Sequence, residues 1–504
     1  MAGRLAGFAR ELMLASAFGL SAQADVAIVL LTLPDLLVNL LLSGGLSVAL
    51  VPAMRGRDAS QQVRLFAQAS LAVTVLFSLL ALAFVWQPSN WLGVLAPGVA
   101  LSSMPTDVWM WATVAVALPL TALSGVSSAA LNAGDRFFVA GCGTLIFNLC
   151  VMAALLVGLA RGATPTAVLL LLGVGIAAGA LLRWLSQWLA LSGSLRRLDD
   201  PRVGPASWRG LFFPWLLDGA LMRSFAAGLA SASLLVLVPV LIRACASWLG
   251  SGQLAAFNYA IKLVELPLGI LITTLATVAY PRLSECHAQG DEAGFRKLLA
   301  DSLRRSLVIS FAVLLCGWQF GDALVSLLLG HGRLGRQEQD QVSQLMQLAL
   351  LSVPGVGVVS LLSAALNASQ RAGTVLRCTL WALLALPLLC LPGLLLKSPQ
   401  ALMWALPGVQ LLLALFLVFA LGIPRMGEGA QGAPKILPPL LALSLPCALG
   451  VMADTWLRQA LASASPMQLL LGRLLLAACV FALAMAAGLR ALQLSPSGQE
   501  RLDS

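Results

Sequence analysis

The chain has 504 residues, of which 59% are hydrophobic and only 10% are Asp, Glu, Lys or Arg. Its mean hydropathy is +0.91, whereas a soluble domain carries about 25% charged residues, so a water-soluble globular protein is excluded. The net charge of +10 does not indicate nucleic acid as a partner, because the basic residues are scattered over short connectors and form no patch.

Apolar runs of about 20 residues recur from end to end, each long enough to cross the hydrocarbon core. They predict an all-α polytopic membrane protein with about fourteen transmembrane helices, near 3–22, 25–53, 65–87, 106–132, 137–160, 166–192, 215–242, 253–281, 302–330, 342–368, 374–396, 399–422, 436–455 and 467–493. The first two carry charge where lipid does not tolerate it: Arg4, Arg10 and Glu11 in one, Asp25 and Asp35 in or beside the other. Such residues face a protein interior or a water-filled path, so these helices are expected to line a polar cavity. Arg10-Glu11 also interrupts what would be a signal-peptide core, which predicts a retained helix.

Lys and Arg concentrate in alternate connectors. Arg55, Arg57 and Arg64, then Arg136, then Arg196, Arg197, Arg202 and Arg209 begin a series that ends with Arg425 and Lys435. The asymmetry is about three to one, which predicts both termini in the cytoplasm and an even helix count. The nine cysteines form no CxxC pair and sit mostly in apolar runs, as small buried hydrophobes do. With only His287 and His331 present, no histidine metal site is expected. No cofactor is expected either. There is no GxxxxGK[ST] phosphate loop and no GxSxG elbow, so energy would come from a gradient, the membrane potential or the substrate itself.

An internal repeat divides the chain. Ser128-Ala129-Ala130-Leu131-Asn132-Ala133 with Arg136 recurs as Ser363-Ala364-Ala365-Leu366-Asn367-Ala368 with Arg371, and Pro119 and Pro354 precede the copies at one offset. Leu33-Pro34 finds a counterpart in Leu266-Pro267. This predicts two parallel six-helix lobes, 1–200 and 201–425, with two extra C-terminal helices and a tail in 426–504, a plan known among transporters. Lys262 and Glu265, three apart on one helix face, bring charge into the second lobe, either as a binding element or as a self-neutralising pair.

Other charges have competing readings. Arg4 is near enough to the chain start to snorkel to the interface, and Asp25 could serve as the N-cap of the second helix. Neighbours on a helix do not face each other, so no ion pair is expected within Arg10-Glu11. Asp218, Arg223, Asp322, Asp454 and Arg473 are taken as interfacial. Pro34, Gly44, Gly45 and Pro267 are hinge candidates, or packing kinks that neighbouring helices accommodate.

The run Arg4-Leu5-Ala6-Gly7-Phe8-Ala9-Arg10-Glu11, with Phe18-Gly19, Ala24-Asp25, Leu33-Pro34, Gly45-Leu46-Ser47 and Val51-Pro52, resembles the opening signature of the MurJ/MviN family of lipid II flippases. Tyr259-Ala260-Ile261-Lys262-Leu263-Val264-Glu265-Leu266-Pro267 resembles the family's eighth helix. The resemblance implies two lobes around a cationic central cavity and a substrate that is an undecaprenyl-diphosphate-linked saccharide. It would be flipped from the cytoplasmic to the periplasmic leaflet of a bacterial inner membrane by a monomer whose other partners are membrane lipids. Arg4, Arg10 and Lys262 match its diphosphate-binding cations, and Glu11, Asp25 and Glu265 its acidic cavity positions. Its last two helices form the lipid-tail groove. The chain departs from the family at Val38-Asn39, where a pair of arginines is usual, and at Asp35, Ser43, Ile261 and Lys262. Lys acts as a point charge where Arg offers a fork. These departures raise another polyprenyl-linked exopolysaccharide unit as the alternative to lipid II, which keeps a modest lead, with a drug/cation antiporter behind both.

Overall fold

The computed structural model describes residues 2–40, 46–99, 108–195, 216–422, 437–461 and 465–493, and all regular structure among them is helical. Eleven of these helices are long and apolar enough to cross a membrane. The three other expected segments are also helical among the described residues. The first, α1 (Ala2–Phe18), has 17 residues interrupted by charge. The second contains α2 (Ala22–Leu40) and α3 (Leu46–Arg55). The seventh is α9 (Gly219–Ala246), 28 residues long. The hinge candidates Gly44 and Gly45, with Ser43, lie outside the described residues, as do Arg196, Arg197, Arg202, Arg209, Arg425 and Lys435.

Two compact units form, Met1–Ala255 and Ala256–Ser504. The first is organised on α6 (Val108–Ala133), which packs against α2, α3, α4 (Ala59–Trp86), α7 (Phe137–Ala160) and α8 (Pro165–Leu195), while α5 (Pro88–Leu95) joins α4 and α9. Lipid tails are as apolar as leucine, so close backbone approach holds such a bundle. Small residues accordingly line α6, with Ser124, Ser127, Ser128 and Ala122 fully or almost fully buried. Helix α4 begins at Ala59, ahead of its apolar run, because the Asp58 carboxylate accepts from the Gln61 amide at 2.8 Å and so satisfies a helix-end donor.

In the second unit, α12 (Glu292–Leu329) is the spine. Around it pack α11 (Thr273–Ala288), α13 (Arg336–Leu350), α14 (Ser352–Ala368) and the final pair α18 (Leu437–Ala460) and α19 (Pro466–Gln493). Helices α15 (Ala372–Leu395), α16 (Pro399–Met403) and α17 (Ala405–Leu421) complete it. Helix α12 starts ten residues before the expected 302, capped by Asp291 on Gly294 N. Its first turns are polar, and an apolar-run reading has no signal for a helix that leaves the bilayer. Helix α10 (Gln253–Pro267) continues into α11 through one π turn, Leu268–Ile272. Pro267 supplies the cause, since its ring removes a donor and crowds the carbonyl one turn back.

The duplicated motif recurs as geometry. Asp135 (φ 57°) and Gln370 (φ 58°) both take the left-handed conformation after their helices. The next amides, Arg136 N and Arg371 N, each close a bond of 2.8 Å on Leu131 O and Leu366 O, the wide hydrogen bond of a Schellman ending.

Candidate functional site

Arg10 is the first buried residue of α1 and is 4% exposed. Its Nη2 donates to Glu11 Oε1 and to Asp35 Oδ2, each at 2.7 Å, and its Nη1 to Asn148 Oδ1 at 3.1 Å and Asp35 Oδ1 at 3.3 Å. The pairing with Glu11 corrects the expectation drawn from helix geometry. That rule concerns short reaches across a helix surface, and the long arginine stem curls its fork back over the adjacent carboxylate. Asn148 on α7 fixes the fork from the other side, with its Nδ2 held by Gly3 O (3.2 Å) and Thr144 O (3.0 Å). One cation therefore stands against two carboxylates in a buried, hydrogen-bonded nest. Arg4, a turn and a half earlier, is exposed.

Asp25 is 1% exposed and does not cap its own helix. Ser21 does that, its Oγ accepting from Ala24 N. The Asp25 carboxylate instead accepts from Gly252 N (2.7 Å) and Ala255 N (2.8 Å), 227 and 230 residues away. It is thus the N-terminal cap of α10, the helix that carries Lys262, and it satisfies two donors that burial would otherwise strand. Gly252 makes the approach feasible. Its φ is +78°, and a Cβ there would stand 2.5 Å from Leu20 O. Local sequence patterns carry no signal for a partner so distant along the chain.

In α10, Lys262 Nζ donates to Glu265 Oε2 at 2.7 Å, with the side chains 31% and 43% exposed. The two thus neutralise each other on one helix face. Pro267 closes the same helix, and Pro34 lies in α2 beside Asp35.

The residues taken as interfacial sort differently. Asp218 caps α9 through Leu221 N at 2.7 Å. Asp322, Asp454 and Arg473 are an ion-pair cluster joining α12, α18 and α19, with Asp454 and Arg473 each 6% exposed. That corrects the interfacial reading, which followed from partners 19 and 151 residues apart. Sequence reading also passed over Asn148 and Arg183. Each is polar within a run otherwise apolar, the one signal that could have flagged them.

Helices long enough to span a bilayer, with charged nests buried between them, define a multi-pass helical membrane protein built around polar intramembrane sites. A family model described as "Lipid II flippase MurJ" matches residues 14–472. The chain belongs to that family, whose members are transporters and not enzymes. It is 25% identical over 382 residues to the lipid II flippase MurJ of Burkholderia cenocepacia, covering 73% of this chain and 71% of the relative. It is likewise 25% identical over 383 residues to a probable lipid II flippase MurJ of Thermotoga maritima, covering 75% and 74%. Among solved structures it matches a lipid II flippase MurJ in an inward closed conformation, with a TM-score of 0.79 at 16% identity over 97% of each chain. An inward-facing multidrug resistance MATE transporter matches with a TM-score of 0.67 at 11% identity, over 85% of this chain and 96% of that one. The family match begins after Arg4, Arg10 and Glu11 and includes Asp25, Lys262 and Glu265.

Proposed function

We propose that the chain translocates lipid II from the cytoplasmic to the periplasmic leaflet of a bacterial inner membrane by alternating access. It would act as a single chain with both termini cytoplasmic, its duplicated halves at 1–200 and 201–425 and its appended helices in 426–504. The family match across residues 14–472 carries this reading. Arg10 and Lys262 hold the diphosphate, with Arg4 contributing near the cytoplasmic interface. Glu11, Asp25 and Glu265 set the charge and geometry around those cations, and Pro34 and Pro267 supply the hinges.

Both principal cations sit beside carboxylates, so each is held in place and neutralised until an anion competes for it. Guanidinium and ammonium donors bind diphosphate oxygens by charge-assisted hydrogen bonds, about twice as strong as neutral ones. Carrying negative charge outward is downhill by about 2.3 kcal/mol per charge per 100 mV when the cell interior is negative, so the potential gives transport its direction.

The test uses the full chain in proteoliposomes with fluorophore-labelled lipid II, scoring protection from an impermeant quencher. Wild type is expected to equilibrate the label across the bilayer, and Arg10→Ala and Lys262→Ala to slow it at least about tenfold at unchanged expression. No movement by wild type would refute the function. Wild-type rates in both variants would refute the site.

A further inference from the structure

One guanidinium faces two carboxylates, Glu11 and Asp35. A second buried cation, Arg183, lies on α8. It is 1% exposed, among the largest fully buried side chains. Its Nε and Nη2 have no hydrogen-bond partner, and no ion pair reaches it among the described residues. Counted together, Arg10, Arg183, Glu11 and Asp35 sum to zero. The two carboxylates nevertheless both sit on Arg10.

Geometry fixes where Arg183 lies. Helices α6 and α8 run parallel with one register: Thr113 faces Gly173, and Gln187 Nε2 donates to Ser128 Oγ at 2.8 Å, 59 residues apart. One turn before that bond the same register sets Ser124, also buried with an unpartnered hydroxyl, opposite Arg183. From α7, Gly143 leaves room for the side chain. A Cβ there would stand 2.7 Å from Gln187 Nε2 and 3.0 Å from Arg183 Cγ. Asn148, which holds Arg10, is five residues further along α7. Both cations thus lie against α7 within about a turn and a half of each other in depth. Asp35, bound to Arg10 on that side, lies on α2, which packs directly against α8.

The two carboxylates on Arg10 differ in freedom. Glu11 is the chain neighbour of Arg10 and is 7% exposed as a side chain, whereas the Asp35 side chain is 35% exposed. An arriving phosphate must take donors from Arg10 while repelling both carboxylates, and the one that can leave is Asp35.

We propose that Arg183 is a positioning residue for anion binding at Arg10: it receives the Asp35 carboxylate when a diphosphate takes the Arg10 guanidinium. The exchange rests on the assignment of Arg10 as a diphosphate contact. Before binding, Asp35 screens Arg10. Afterwards the ligand and Glu11 share Arg10, and Asp35 pairs with Arg183, so no carboxylate is left bare in the bilayer. The release of Asp35 is favoured because a buried, uncompensated cation gains its counter-ion in the same step.

The experiment measures affinity of the full chain in nanodiscs for undecaprenyl diphosphate, in wild type, Arg183→Gln, Asp35→Asn, the double variant and Arg10→Ala. Arg183→Gln is expected to weaken binding about tenfold, within the usual range of coupling between sites, because Asp35 then has nowhere to go. In the Asp35→Asn background the same substitution is expected to change affinity less than about twofold, since nothing remains to be displaced. Equal weakening in both backgrounds would make Arg183 a direct contact or a structural residue and overturn the exchange. So would wild-type affinity in Arg183→Gln. Arg10→Ala separates the two readings. Unchanged affinity there refutes the Arg10 assignment, whereas lost affinity with additive Arg183 effects refutes the exchange alone. Should Arg183→Gln fail to fold, infrared difference spectra of wild type against Asp35→Asn decide. Ligand addition is expected to shift a carboxylate band that Asp35→Asn lacks, and its absence would overturn the proposal.

Discussion

Arg473 grips Asp322 through two parallel bonds, Nη1 to Oδ2 and Nη2 to Oδ1, both 2.8 Å, across 151 residues of chain. Its Nε takes Asp454 Oδ1 at 2.7 Å, and Arg458 ties the same two carboxylates at 3.2 Å and 2.9 Å. Two arginines and two aspartates thus close a neutral clasp that holds the final helix pair to α12. Removing one partner from a buried pair costs about 3–5 kcal/mol. The Asp322 side chain is 41% exposed, so solvent screening reduces the loss to about 1–3 kcal/mol. Asp322→Asn is expected to lower the thermal midpoint in detergent and to loosen α18 from α12. A native pair reports the second effect: Cys316 on α12 and Cys447 on α18 lie in one buried apolar cluster. Copper-phenanthroline crosslinking of these two, with the other cysteines replaced, should fall in the variant. Unchanged crosslinking and melting would show that apolar packing alone fixes the pair.

Asp25 supports a different prediction, because its partners are backbone amides. Asp25→Ala strands two buried donors, which costs about 1–3 kcal/mol for each unsatisfied group. Asp25→Asn retains an acceptor and should recover part of that loss. Hydrogen exchange at Gly252–Ala255 is the measurement, with faster exchange expected in Asp25→Ala than in Asp25→Asn. Equal protection in both variants and wild type would show that the cap contributes nothing.

Arg136 Nη1 donates to Ala190 O at 2.7 Å, and Arg371 Nη2 donates to Ala420 O at 2.8 Å. Each guanidinium thus anchors the end of the fourth repeat helix to a carbonyl near the end of the sixth, once in each unit. Both bonds are exposed, so replacement by Ala is expected to cost about 0.5–1.5 kcal/mol in each unit and to be nearly additive in the double variant. A cost several times larger on one side would mean that the two turns have diverged in role.

This repeat marks what local sequence could reveal. Helices follow from apolar length, and Phe137–Ala160 falls where its run predicts. The shared Ser-Ala-Ala-Leu-Asn-Ala motif folds into matching left-handed turns because a short polar stop after an apolar helix has few backbone solutions. The candidate cations were legible too, since a charge inside an apolar run is conspicuous. Their partners were not. Asp25 with Gly252, Arg473 with Asp322 and Arg10 with Asn148 are each joined across more than 130 residues, and helix periodicity describes only neighbours three or four apart. Arg183 escaped notice for the opposite reason: nothing nearby in sequence hinted that it would be sealed without a counter-ion.

Asn148 is the sharpest test of the Arg10 nest, because it holds the cation without adding charge. Its amide joins α1 to α7 through Gly3 O and supplies Arg10 with a neutral acceptor. Asn148→Leu keeps the volume and leaves both carboxylates in place, but it deprives Nη1 of one partner and Gly3 O of its donor. Stability is expected to fall by about 1–2 kcal/mol, and the fork loses the contact that aims it. Aspartate at the same position would add a third carboxylate to one guanidinium, so Asn148→Asp should depress lipid II binding further than Asn148→Leu, with the gap narrowing at high salt only as far as the nest is open to water. Melting curves and lipid II affinity measured side by side separate the two effects. If Asn148→Asp binds as tightly as Asn148→Leu, an added negative charge beside Arg10 is without consequence, and the anion does not bind there.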